Sequence, residues 1–255
     1  MHGFRLDVET HIITAGVASV QNLVRCIRGI GIDVEDLVLE PLASSEAVLT
    51  EDERQVGVVL ADIGGGTTDI AIFKDGSIWH TSILPVAGYQ VTRDVAIGLG
   101  LPFDVAEEMK KKYGSVMPVY EGKTEATNPK PENGHGISYK DLCDIIKARV
   151  DEIIRLILLE LPRTEHESLV PAGVVLTGGS SNLSGIEILG REISRLPVRV
   201  GVPAEMHGIT DTLRDPAYAT SVGLLLWGAK RVSRKPWKRR GFLRRLVSRI
   251  RNLFR

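Results

Sequence analysis

Two short glycine-rich stretches have residue types and spacing that could do chemistry. The first is Asp62-Ile63-Gly64-Gly65-Gly66-Thr67-Thr68-Asp69, set between two apolar runs. Gly64, Gly65 and Gly66 let the backbone turn tightly and bring N–H groups close to an anion. The hydroxyls of Thr67 and Thr68 can add donors. Asp62, at a strand end, is well placed to hold a hydrated cation beside phosphates. Three glycines alone would suit a plain hairpin with ordinary capping residues; Asp62, Asp69 and the apolar strands on both sides favour phosphate binding. The second stretch is Leu176-Thr177-Gly178-Gly179-Ser180-Ser181. Bare backbone there would let a flat base or a ribose lie beside a helix N-terminus. Taken alone, it reads as a strand-to-helix turn with a Ser N-cap.

Elements on either side must position these turns. The pattern predicts strands at Val58–Ala61, Thr68–Phe73 and Ser77–Leu84, with a hairpin turn at Lys74-Asp75-Gly76. A buried strand is expected at Ala172–Leu176 and another at Val198–Val202. Helical spacing predicts Val17–Ile30, with Val20, Leu23, Val24 and Ile27 on one face, and a helix from Pro41 to about Leu49. Further helices are expected at Gly88–Gly98, Asp104–Tyr113, Tyr139–Leu161, Leu183–Leu196 and Ala217–Lys230. The longest of these, Tyr139–Leu161, keeps Leu142, Ile146, Val150, Ile153, Ile154 and Ile157 in register. Arg5–Ala15 and Val34–Glu40 read as strands, and Met117–Gly136 as a loop. Mixed strands and crossover helices imply an α/β fold.

Composition narrows the function further. The chain has 255 residues, 32 basic and 32 acidic. From Lys230 to Arg255 there are 12 Lys or Arg and no acidic residue, which leaves 20 basic against 32 acidic residues in the body. A basic tail on an acidic body suits an anionic partner, either nucleic acid or a membrane surface. No run of apolar residues is long enough for a transmembrane helix. Met1-His2-Gly3-Phe4-Arg5 does not read as a signal peptide, because no apolar stretch follows it. Cys26 and Cys143 sit in apolar helical patterns and are expected to be buried thiols. Asn182-Leu183-Ser184 matches a glycosylation sequon but reads as a chance match at a helix start.

The tail itself is two-faced. In a helix, Phe242, Leu243, Leu246, Val247, Ile250, Leu253 and Phe254 fall within one arc of roughly 140°. Arg244, Arg251 and Arg255 lie opposite, and Arg245 and Arg249 flank the apolar arc. This is the pattern of a helix lying in a membrane interface. Anionic headgroups would add about 1 kcal/mol for each basic residue near the surface. A helix docked on the protein's own core, a nucleic-acid arm and a calmodulin-type target are the alternatives. A core helix would seldom be so uniformly basic on its outer face, and a nucleic-acid arm needs no ordered apolar stripe.

The two glycine stretches, about 110 residues apart in an α/β chain, resemble the actin-like ATPase superfamily, whose ribonuclease H-like domains carry mixed sheets and crossover helices. Asp62 to Thr68 is similar to its second phosphate-binding hairpin, and Thr177 to Ser180 to its adenosine motif. Glu40-Pro41-Leu42-Ala43 is similar to the first interdomain connector, whose glutamate sits near the cation and the attacking water. Asp215-Pro216-Ala217-Tyr218-Ala219 through Gly223 is similar to the second. Glu107 and Lys110, on one helical face, resemble the pair that grips base and ribose; as an isolated pair they would read as a surface salt bridge. Within the superfamily, Val38–Leu49, Ala61–Phe73, Asp94–Gly98 and Ala106-Glu107-Glu108-Met109-Lys110 resemble the FtsA family of bacterial cell-division proteins.

That resemblance implies ATP and magnesium as ligands, with Mg held indirectly through Asp62 and at most weak ATPase activity. It implies FtsZ, anionic membrane lipids, other divisome proteins and further copies of the chain as partners, and no nucleic acid. The site would be the inner face of the cell membrane at the division septum. Residues 1–15 would be a remnant strand of an inserted subdomain, 16–53 the end of the first actin-like domain, and 54–229 the second, with a subdomain at about 99–136 that binds the FtsZ tail. Residues 230–241 would be a basic linker and 242–255 the membrane-targeting helix. The first phosphate-binding motif, which the family carries ahead of this region, has no counterpart in the sequence. A PilM-like pilus-assembly adaptor and a sugar-kinase-like phosphotransferase are the alternatives; the latter needs a catalytic acid and a sugar pocket, for which no candidate is found.

Overall fold

β1 (Val58–Ile63) is apolar at all but one position, and every residue in it is buried. That is the pattern of a strand covered on both faces. In the computed structural model it is the middle strand of a five-stranded sheet of order β3-β2-β1-β4-β5. β2 (Thr68–Lys74) and β3 (Ser77–Leu84) extend the sheet on one side as antiparallel neighbours. β4 (Val174–Thr177) and β5 (Val198–Val200) extend it on the other side, both parallel. The structure describes residues 5, 7, 8, 10–117, 137–161, 169–204 and 211–234, with side chains to residue 231 and without that of Asp211.

Helices cover both faces of the sheet, as its two-sided burial requires. On one face lie α4 (Gly88–Leu99), α5 (Phe103–Tyr113), α6 (Tyr139–Leu159) and α7 (Ile186–Ser194). Their core joins Val91, Met109, Ile146, Ile153 and Leu189 to Val59, Ile63, Ile70 and Leu176 from the strands. α6 buries Leu142, Cys143, Ile146, Val150, Ile153, Ile154 and Ile157 along one stripe. Such side chains contribute roughly 1.5–3 kcal/mol each before entropy is counted. The other face is closed by α2 (Glu40–Val48) and α8 (Ala219–Arg234), with Ala47, Val48, Ala219 and Val222 against Val58, Leu60, Ala71 and Phe73. α3 (Glu51–Val56) is fixed by a capping box: Glu53 N–H donates to the Thr50 hydroxyl, and Thr50 N–H to the Glu53 carboxylate.

The N-terminal region departs from expectation. No described residue between 5 and 15 is in a strand, and neither is Val34–Leu39; the chain there is largely exposed. A strand needs a neighbour to take its N–H and C=O groups, and no described strand pairs with either segment, although the His11 ring meets the Thr81 hydroxyl of β3 at 3.1 Å. α1 (Val17–Gly29) does form, but none of its residues is buried, and Leu23 on its apolar face is 60% exposed. Cys26, expected to be a buried thiol, is exposed on this helix, whereas Cys143 is buried. α7 begins at Ile186 rather than Leu183, because Gly179–Asn182 winds into a 3₁₀ turn first. Asn182 therefore does not start that helix, and its side chain donates to Asp215 Oδ1 at 2.8 Å. Most of the loop expected at Met117–Gly136, and the whole tail from Phe242 to Arg255, lie outside the described residues.

Candidate functional site

The sheet brings the two glycine stretches together. β1 and β4 run parallel and adjacent, with Asp62 paired in register to Thr177. Both strands end at the same edge, so the turns that follow them open into one cleft, the usual place for a ligand in such sheets. Contact between the turns depends on Gly178. Its φ is +83°, and a Cβ there would lie 2.4 Å from Asp62 Oδ1 and 2.6 Å from the Ile63 carbonyl oxygen.

The first turn is anchored from behind. The Gly64 carbonyl accepts from Gly88 N at 3.1 Å and from Ser180 Oγ at 2.8 Å. The Gly65 carbonyl accepts from Tyr89 N at 2.6 Å. One carbonyl thus binds the start of α4 and the second glycine stretch to the first. Between them opens a cavity of about 670 Å³. Gly64, Gly65 and Gly66 form one wall, Gly179 and Ser180 another, and Glu107 and Lys110 of α5 a third. Lys110 Nζ lies 2.7 Å from Glu107 Oε2, and Lys111 Nζ 3.2 Å from Glu107 Oε1. Burial pushes the Glu107 carboxyl up, but hydrogen bonds from Lys110 and Thr92 outweigh it and hold the carboxyl below its ordinary value.

Next to the first turn lies an acidic group, Asp62, Asp69 and Glu40, none of which lines the cavity. Asp62 is 5% exposed and Asp69 7%. Asp62 Oδ2 accepts from Ser44 Oγ of α2 at 2.6 Å and from Thr220 Oγ1 of α8 at 3.2 Å. Burial raises the Asp62 carboxyl despite those two donors, and the Asp69 charge adds to the rise. Asp69 is raised by its own burial, against a hydrogen bond from Thr67. Glu40, at the start of α2, keeps its contact with solvent but is partly desolvated by its surroundings, and this, with the charges of Asp69 and Asp62, raises its carboxyl. Three carboxylates that each hold protons more tightly than usual form a region where a cation would be welcome. Among the described residues, no three His, Cys, Asp or Glu are arranged to hold a metal directly.

Two expected donors turn away from the cavity. Thr68 is fully buried, and its hydroxyl donates to the Val86 carbonyl at 2.7 Å. The Thr67 hydroxyl donates to Asp69 Oδ2 at 3.0 Å. Gly178 supports the cavity from beneath and does not line it. Sequence reasoning missed Ser44, Thr220 and Thr92, whose hydroxyls hold the acidic side chains. Small polar residues inside otherwise apolar helices were the only signal for them. It also missed Tyr89 and Phe103, which line the cavity with ring centroids 5.1 Å apart and planes tilted by 37°.

A two-faced mixed sheet, with glycine turns meeting at the ends of adjacent strands, defines an actin-like fold. MreB5 of Spiroplasma citri, solved with ADP bound, superimposes with a TM-score of 0.67 at 18% identity, over 85% of this chain and 66% of that one. A MamK double helical filament matches with a TM-score of 0.60 at 20% identity, over 84% of this chain and 66% of that one. The model of the family described as "Cell division protein FtsA" matches residues 59–223. Cell division protein FtsA of Pseudomonas aeruginosa is 45% identical over 237 residues, 91% of this chain and 57% of that protein. The Escherichia coli K12 protein of the same name is 35% identical over 238 residues, 89% of this chain and 57% of that protein. The chain belongs to the FtsA family, and it spans a little over half the length of these relatives.

Proposed function

We propose that the chain is the nucleotide-binding and membrane-tethering part of an FtsA-type scaffold, which links FtsZ filaments to the inner face of the cytoplasmic membrane at the septum. The observation that supports this is the meeting of Gly64–Gly66 with Gly179 and Ser180 around one cavity, in a chain of this family. ATP phosphates lie against the first turn, and adenosine against the second beside Glu107 and Lys110. Asp62, with Glu40 nearby, would hold a magnesium ion indirectly, and the ion would offset the charge of the phosphates. The oxygen-only, carboxylate-rich surroundings suit a hard cation. Asp62 and Asp69 are buried, and the charges of both act on Glu40, so a positive charge beside them would relieve that repulsion.

Nucleotide acts as a conformational ligand, and turnover is weak at most. Phe242, Leu243, Leu246, Val247, Ile250, Leu253 and Phe254 enter the lipid, while Arg244, Arg245, Arg249 and Arg251 meet anionic headgroups. FtsZ docks on the body, and self-association and other divisome proteins complete the assembly. No helix among the described residues is long and apolar enough to cross a membrane. The test is binding of the C-terminal peptide of FtsZ to the chain, with and without ATP and magnesium. Binding that ATP strengthens supports the scaffold; absence of binding in both conditions removes it.

A further inference from the structure

Among the residues that line the cavity is a threonine that neither the glycine turns nor the acidic group explains. Thr92 is fully buried on α4, one turn after Gly88. Its hydroxyl donates to Glu107 Oε2, and it accepts from Lys110 Nζ at 2.9 Å. The Gly88 carbonyl lies 3.0 Å from the same hydroxyl and 3.2 Å from Lys110 Nζ. A hydroxyl has one proton and an ammonium has three. When the Thr92 proton goes to the carboxylate, Lys110 serves the Gly88 carbonyl, the Thr92 oxygen and Glu107. All three of its donors then have partners within the protein, and its side chain is only 11% exposed.

We infer that Thr92 is a positioning residue, which turns Lys110 into an anchor and leaves Glu107 as the group that meets the ligand. Glu107 is the more open of the pair, its side chain 30% exposed. Its carboxylate is an acceptor only, so its partner on the ligand is a hydroxyl or amino group, the chemistry of a sugar or base and not of a phosphate. The polar partners come from two helices, α4 through Thr92 and Gly88 and α5 through Glu107 and Lys110. The network therefore also locks α5 to the start of α4, whose Gly88 and Tyr89 N–H groups hold the first glycine turn. The inference rests on the cavity being a nucleotide site.

Valine matches the shape of threonine without its hydroxyl, and serine keeps the hydroxyl. Titration calorimetry of the full chain with ATP and with inorganic tripolyphosphate, both with magnesium, separates the roles, and thermal unfolding of each variant checks the fold. In Thr92→Val, ATP binding weakens about tenfold, the scale of one hydrogen bond to a charged group. Tripolyphosphate binding stays within about twofold, since no phosphate contact is altered. Thr92→Ser binds both ligands like the wild type. Unchanged ATP binding in Thr92→Val overturns the inference. So does an equal loss of ATP and tripolyphosphate binding, which would mean a general disturbance of the cleft. A wild-type chain that binds neither ligand rejects the nucleotide site itself, and the role of Thr92 with it.

Discussion

Gly178 and Gly179 are adjacent, yet alanine at each should do different damage. A Cβ at Gly178 would sit 2.6 Å from the carbonyl oxygen of Ile63. That atom belongs to the backbone of the central strand and cannot swing aside. The backbone angles there, φ 83° and ψ 163°, fall in a region that glycine alone occupies readily, at a cost of about 1–3 kcal/mol for other residues. Forcing the extra atom against the strand adds about 1–3 kcal/mol, so Gly178→Ala should lose about 2–6 kcal/mol. For a chain of this size that lowers the unfolding temperature by about 4–24 °C. A Cβ at Gly179 meets only Ala217 Cβ, at an ordinary 3.7 Å. Gly179→Ala should therefore stay within about 0.5 kcal/mol of the wild type. It would, however, cover backbone that faces the cavity and weaken ATP binding. Urea denaturation followed by circular dichroism reads the first effect and calorimetry the second. Equal urea midpoints for the two variants would refute the reasoning, because the close approach of the two turns would then not be what holds the cleft together.

Three further outcomes follow from the charges and the tail. Asp62 has a raised carboxyl, so the folded state holds its proton longer than the unfolded state does. The stability of the wild type relative to Asp62→Asn should therefore fall as pH rises from the ordinary carboxylate value through the raised one; a difference that grows with pH in denaturation curves contradicts this. Glu46 behaves in the opposite sense. Burial pushes it up, but hydrogen bonds from Lys230 and Arg54 outweigh that and leave it lowered. Glu46→Gln should cost on the order of 1 kcal/mol at neutral pH, and the loss should vanish as pH falls through the lowered value. Removal of residues 237–255 should abolish sedimentation with anionic liposomes while leaving the ATP affinity of the body unchanged; retained sedimentation assigns lipid binding elsewhere.

Much of the fold was legible because it follows from local rules. The strand β1 reads as buried on both faces, and the Tyr139–Leu159 stripe packs with the spacing its sequence shows. The adjacency of β1 and β4 was not legible from periodicity, since it depends on a crossover of more than a hundred residues; only the resemblance brought the two glycine stretches together. In the N-terminal region Val34–Glu40 read as a strand, but without a pairing partner no ladder forms, and Glu40 instead opens α2. Cys26 failed for a related reason: an amphipathic pattern identifies an apolar face and does not supply what covers it. At the site, Gly64–Gly66, Gly179, Ser180, Glu107 and Lys110 line one cavity as the motifs suggested. The hydroxyls of Thr67 and Thr68 bond within the protein, to Asp69 and to the Val86 carbonyl, partners that residue type beside a glycine turn does not reveal. Ser44, Thr220 and Thr92 were invisible because their meaning lies in side chains brought from other helices.

Recruitment to lipid measures the proposed role as a whole. Liposomes containing phosphatidylglycerol are pelleted with FtsZ, with and without this chain and ATP. FtsZ should pellet with the vesicles only when the chain is present, and should remain in the supernatant when residues 242–255 are deleted. FtsZ that stays in solution beside a vesicle-bound, full chain would contradict the scaffold, whatever the cleft binds.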